Sequence, residues 1–154
     1  MCFELELEDA PQGRPLRVEC TRLAMMLQVM DALGMIEHLS PPREPHPEDH
    51  GTTAARVTEF LAADSAEAPP ELEQFADAVS ALFDGQADDP AGIPCYKLSH
   101  GGWLVTPDEI ASALGWWTSA TPEAQAYARE GLPWWVEWLA VLAKARDHGG
   151  IRVW

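Results

Sequence analysis

The sequence predicts an α+β protein: a small antiparallel sheet built on an N-terminal hairpin and packed by four to six helices. Two runs of alternating apolar and polar residues lie close together at the start of the 154-residue chain. Behind them come several stretches whose apolar residues recur at helical spacing, and short strand-like runs return near the end. By size the chain is expected to be a single domain spanning 1–154, long enough to bury about 70% of its unfolded surface.

Phe3, Leu5 and Leu7 alternate with Glu4, Glu6 and Glu8, the pattern of a strand buried on one face. Leu16, Val18 and Cys20 alternate with Arg17 and Glu19, and the turn formers from Asp9 to Pro15 join the two runs into an antiparallel hairpin, placing Arg17 across from a glutamate. Thr21 is the expected N-cap of a helix whose stripe is Leu23, Met26, Leu27, Met30 and Leu33. Gly34 supplies a left-handed stop, with Met35 folding back onto Met30. From about 40 to 51 the prolines forbid a continuous helix or central strand, so this segment is expected to be a mobile loop.

Thr52 or Thr53 caps a helix reaching Ala63, with Val57, Phe60 and Leu61 inward. Pro69 and Pro70 open another, in which Leu72, Phe75, Ala76, Val79, Leu82 and Phe83 form the stripe and Gly85 the end. A second loop covers about 85 to 95. Tyr96-Lys97-Leu98 and Trp103-Leu104-Val105 read as short strands flanking a turn at Ser99 to Gly102. Thr106-Pro107-Asp108-Glu109 sets an N-cap, a first-turn proline and a capping-box glutamate in order. Leu114-Gly115-Trp116 resembles the Leu33-Gly34-Met35 stop, so Trp116 is expected to fold back toward Ile110 or Ala111. Thr121-Pro122 and Pro133 open two further helices, ending near Gly131 and Asp147, and Ile151 to Trp154 reads as an edge strand.

The net charge of −15 is uneven. Residues 1–50 hold four basic and ten acidic groups, residues 51–100 two and nine, and residues 101–154 four and six. This balance repels nucleic-acid phosphate and anionic lipid and admits a basic partner. No run is long enough to span a membrane, and the opening Met-Cys-Phe-Glu-Leu-Glu has neither a basic start nor an apolar core, so a cytoplasmic protein is expected. Cys2, Cys20 and Cys95 are too far apart for a zinc pattern and are expected to be reduced and buried.

The chain lacks a phosphate-cradling glycine loop with Lys, a dinucleotide-binding glycine fingerprint, a His-Glu-x-x-His pair and a nucleophile elbow. His46, Glu48, Asp49 and His50 are metal-ligand types, but the intervening prolines deny them one helix face, and they read as a solvated loop. The run from Asp84 to Asp89 imitates a calcium loop but has Asp89 where glycine is needed and Cys95 where glutamate is needed. Ser99-His100-Gly101-Gly102 is similar to a glycine-rich oxyanion segment, and Cys95 with His100 is a nucleophile and base only if folding unites them. No catalytic residue, cofactor or metal is assigned.

All seven tryptophans fall between Trp103 and Trp154. Together they offer on the order of 1,000–1,700 Å² of buriable surface. On the last helix Trp134, Trp135, Trp138, Leu139, Val141 and Leu142 span an arc of about 160°. Adjacent rings in Trp116/Trp117 and Trp134/Trp135 point about 100° apart, so one of each pair flanks the buried face as a candidate hot spot.

Gly102-Trp103-Leu104-Val105-Thr106-Pro107-Asp108-Glu109-Ile110, with Tyr96-Lys97-Leu98 before it, resembles a segment of small uncharacterised proteins of actinobacteria and their phages. The resemblance covers about a tenth of the chain and implies a bacterial cytosolic protein with no activity attached.

The expected function is non-enzymatic binding of a basic protein partner, in an immunity or inhibitor role. Trp103, Trp116, Trp117, Trp134, Trp135, Trp138 and His100 are the candidate binding residues. The alternatives are a small-molecule binder or minor enzyme, with a pocket lined by Trp103, Trp117, Trp134 and Trp138 beside His100, and an acidic mimic of nucleic acid.

Overall fold

The N-terminal alternation pairs as its pattern requires. In the computed structural model, which describes residues 2–10, 15–63, 67–99 and 101–154, β1 (Cys2–Leu7) lies antiparallel to β2 (Leu16–Glu19). Glu4 faces Arg17, whose Nε donates to the Glu4 carboxylate at 2.9 Å. Residues 11–14 of the expected turn lie outside the described residues. The chain divides into two compact units, Met1–Ser40 with Gln86–Trp154, and Pro41–Gly85.

In the first unit, α1 (Cys20–Ala32) follows β2 without a break. Glu19, the last strand residue, is therefore the N-cap, with no side-chain bond; the expected cap Thr21 already lies inside the first turn. The other end is as the sequence predicts. Gly34 takes a φ of +74°, its N–H donates to Asp31, and the Met35 N–H donates to the Met30 carbonyl at 2.9 Å, the two bonds of a Schellman stop. Beyond it β3 (Ile36–Glu37) pairs parallel with β4 (Ile93–Pro94), a two-residue contact whose second strand lies in the expected loop of about 85 to 95.

The segment Cys95–Leu98 is a 3₁₀ turn, not the expected strand, because its Lys97 side chain turns inward to a buried carboxylate. β5 (Leu104–Val105) and β6 (Ile151–Val153) complete a four-stranded sheet in the order β2-β1-β6-β5. Ile151 to Val153 is thus an interior strand where an edge is expected, since β1 takes one side of it and β5 the other. Between these strands run α4 (Pro107–Ser119), α5 (Pro122–Gly131) and α6 (Trp135–Asp147). Gly115 does not end α4: carrying the helix on to Ser119 buries Trp117 against α6, which outweighs the roughly 1 kcal/mol that glycine costs mid-helix. Pro133 likewise precedes a turn, and α6 starts two residues later at Trp135.

The second unit holds a 3₁₀ turn at Pro47–His50, then α2 (Ala54–Ala62) and α3 (Pro70–Asp84). Thr53 caps α2 by accepting the Arg56 N–H, and Pro70 occupies the first turn of α3. With six helices and an antiparallel sheet built on the N-terminal hairpin among the described residues, the fold is α+β. No helix among those residues is long and apolar enough to cross a membrane.

Gly34→Ala tests the left-handed stop. The nearest atoms to an added Cβ are those of the Trp116 ring at 3.6 Å, an ordinary contact, so the penalty is backbone strain. A loss of about 1–2 kcal/mol is expected, read as a lower urea midpoint with an unchanged slope.

Candidate functional site

The indoles separate by helix face, as their 100° offset requires. Trp135 is fully buried, Trp138 and Trp117 nearly so, and Trp134 half-buried; these four gather in or against one core cluster. Trp117 and Trp135 meet edge to face at 5.6 Å, and the Trp138 N–H points at the Met30 sulfur at 3.3 Å. Trp103 is buried apart from them, edge-on to Tyr96 at 5.0 Å. Guanidinium groups cover two rings, Arg22 over Trp134 at 4.8 Å and Arg129 over Trp117 at 5.3 Å.

Of the candidate indoles, Trp116 alone is substantially exposed, at 50%. Its N–H donates to the Ala91 carbonyl and its ring lies over Gly34, so it does not fold back toward Ile110 or Ala111. Trp154 is 48% exposed, with its N–H on Glu6 at 3.0 Å. Its ring lies against Gly102, where φ is +72° and a Cβ would overlap the ring. His100 lies outside the described residues.

Lys97 and Glu109 form a buried ion pair that the spacing of their residues does not announce. The Lys97 Nζ sits 2.8 and 3.1 Å from the two Glu109 oxygens, and both side chains are at most 1% exposed. The capping box holds the carboxylate in place: the Thr106 N–H donates to it at 2.9 Å while the Glu109 N–H donates to the Thr106 hydroxyl. Its partners and its place at the N-terminus of α4 explain how a charge is tolerated in the interior. Burial holds the Tyr96 phenol above its ordinary value of 10.0, and the charges of Glu109, Cys95 and Glu37 add to the shift.

The remaining constellations disperse. His50 packs its ring on Phe75 at 5.9 Å, and Pro47–His50 is a single 3₁₀ turn. The cysteines are free, with Cys2 exposed and Cys20 and Cys95 half-buried where burial is expected: Cys2 starts an outer part of the hairpin, and Cys95 borders a shallow hollow. That hollow brings Cys95 together with His38, whose Nε2 lies 2.7 Å from Asp31, so the imidazole near Cys95 among the described residues is one the sequence did not single out.

A wide apolar groove lies in the second unit. No residue of α2 is buried, and Leu72 is the only buried residue of α3. Val57, Phe60 and Leu61 on α2 and Leu72, Phe75 and Val79 on α3 line a groove of about 560 Å³. Leu61, expected inward, is 77% exposed, because α2 and α3 do not close over it. Glu73 and Asp77, one helical turn apart, stand in the groove wall and make no ion pair among the described residues. Glu71, by contrast, pairs with Arg56 at 3.3 Å. Between Pro41 and Gly85 ten acidic residues face two basic ones, so over half of the chain's net charge sits on this unit. The apolar stripes and the acidity are both legible in the sequence; that the stripes stay uncovered is not. No family model, curated protein or solved structure matches this chain.

Two measurements check the interior polar groups. Lys97→Met leaves a buried carboxylate without its ammonium and is expected to lower unfolding stability by about 3–5 kcal/mol. The double variant Lys97→Met/Glu109→Gln should lose less than the sum of its two parts, by at least about 1 kcal/mol. In Tyr127→Phe, which leaves Tyr96 as the sole phenol, the tyrosinate absorbance should rise with a midpoint above 10.0. Because the folded state holds that proton more tightly, the associated stability is complete below pH 10.0 and is lost as pH climbs through the raised value.

Proposed function

We propose that this protein is a non-catalytic bacterial cytosolic binding protein that engages a basic protein partner, as an immunity protein or inhibitor does. The observation that carries the reading is the pairing of charge and open apolar surface in the unit Pro41–Gly85, where acidic side chains border a groove that the unit leaves uncovered. Such a surface supplies both terms of recognition. The Glu73 and Asp77 carboxylates, which make no ion pair among the described residues, draw a cationic protein in and set its orientation, while apolar side chains at the centre of the contact provide the area that slows its release. The tryptophans contribute less than their number promises, since most of them are used in packing the first unit.

The test compares the full-length protein with a variant carrying Glu59→Gln, Glu67→Gln, Glu73→Gln and Asp77→Asn, all exposed positions. Both are used to capture proteins from native bacterial lysate, and what they retain is quantified by mass spectrometry. The wild-type chain should enrich proteins of high isoelectric point, and the variant should retain them at least about tenfold less well. Equal recovery by the two, or recovery indifferent to salt, overturns the proposal.

A further inference from the structure

We infer that the groove between α2 and α3 seats one amphipathic basic helix of the partner; this rests on the reading of the acidic unit as a partner-binding surface and specifies what it binds. The groove has the shape and chemistry for such an occupant. Its two walls each present an apolar stripe at helical spacing, Val57, Phe60 and Leu61 on one side and Leu72, Phe75 and Val79 on the other. A third helix lying between them completes a three-helix packing and covers the faces the two leave open. The 15 residues of α3 run for about 22 Å at 1.5 Å per residue, which an incoming helix of about four turns matches.

Charge selects among the occupants of an apolar groove. Glu73 and Asp77 recur at i and i+4 in the α3 wall, so they meet cations carried on the incoming helix at the same interval, flanking its apolar stripe. Neither carboxylate is engaged by a basic side chain among the described residues. A second copy of this chain brings its own net charge of −15 to the same rim, which opposes self-association there. Anionic lipid meets the same repulsion. The complementary ligand is a helix with leucine-like anchors on one face and Lys or Arg beside them.

The probe is a fluorescein-labelled model peptide of about 18 residues, built of Leu and Lys with Leu at i, i+3, i+4 and i+7 repeats, titrated with the full-length protein and followed by anisotropy. A control peptide has the same composition in scrambled order, which keeps the charge and removes the stripe. Saturable binding of the patterned peptide is expected, at least about tenfold tighter than that of the scrambled one and weakening at least about tenfold from 50 mM to 500 mM salt. Leu61→Asp should weaken it by at least about tenfold. This side chain is exposed, so the fold is expected to be kept, and circular dichroism checks that. Glu73→Lys/Asp77→Lys provides a second variant that leaves the apolar lining intact and should weaken binding to a similar degree.

The outcomes separate the two readings. If patterned and scrambled peptides bind equally and both lose affinity in Glu73→Lys/Asp77→Lys, a basic partner stands and the seated helix falls. If neither peptide binds, both readings fall. Unchanged affinity in Leu61→Asp overturns the groove as the seat, and a concentration-dependent dimer that Leu61→Asp abolishes in sedimentation replaces the partner with a second copy.

Discussion

Hiding one face of α6 is the constraint on which the first unit is built. Trp135, Trp138, Leu142 and Ala145 are all buried, and three of them draw in different parts of the chain. Trp135 calls for Trp117 from α4, Trp138 reaches the Met30 sulfur of α1, and the Ala145 carbonyl accepts the Gly150 N–H that turns the chain into β6. A single buried Leu contributes on the order of 1.5–3 kcal/mol and a Trp more, so a face of this composition dominates any local preference in the segments it meets. Gly115 shows the consequence: a residue that favours a helix stop is held in helix because the next turn carries Trp117.

The second unit is under no such constraint. Its helices have 9 and 15 residues, lengths at which isolated helices are marginal in water and depend on tertiary packing. Yet their apolar faces close over little more than Leu72. The proline-rich entry does add order, through the Pro47–His50 turn, the His50 contact with Phe75 and the Thr53 cap. What is left is an apolar groove that this unit does not itself cover, in the most acidic part of the chain. A surface that is both greasy and strongly charged of one sign is costly to leave in water, and recognition by an oppositely charged amphipath resolves both costs at once.

The buried Lys97–Glu109 pair illustrates how local and tertiary chemistry combine. The capping box at Thr106 is a property of four consecutive residues and fixes the Glu109 carboxylate at the first turn of α4. A carboxylate in that position is partly satisfied by the Thr106 backbone N–H, and the 3₁₀ turn carrying Lys97 supplies the balancing cation. Sequence alone therefore points to the acceptor but not to the donor: twelve residues and a change of backbone geometry separate them.

By itself the sequence determined the features whose causes are local. The hairpin follows from residues alternating with period two, the Schellman stop at Gly34 from a glycine free to take positive φ, and the starts of α2, α4 and α5 from Thr53, Thr106 and Thr121 as caps. It also located the acidity and the apolar stripes of α2 and α3. Tertiary structure decided what depends on neighbours distant in the chain. It placed β6 inside the sheet, turned Tyr96 to Leu98 into a 3₁₀ segment, separated Trp116 from the buried indoles and left the α2–α3 groove open. An amphipathic pattern states that a face is to be covered; which faces find a cover within the chain is set by the area and geometry of the surfaces that fold against them.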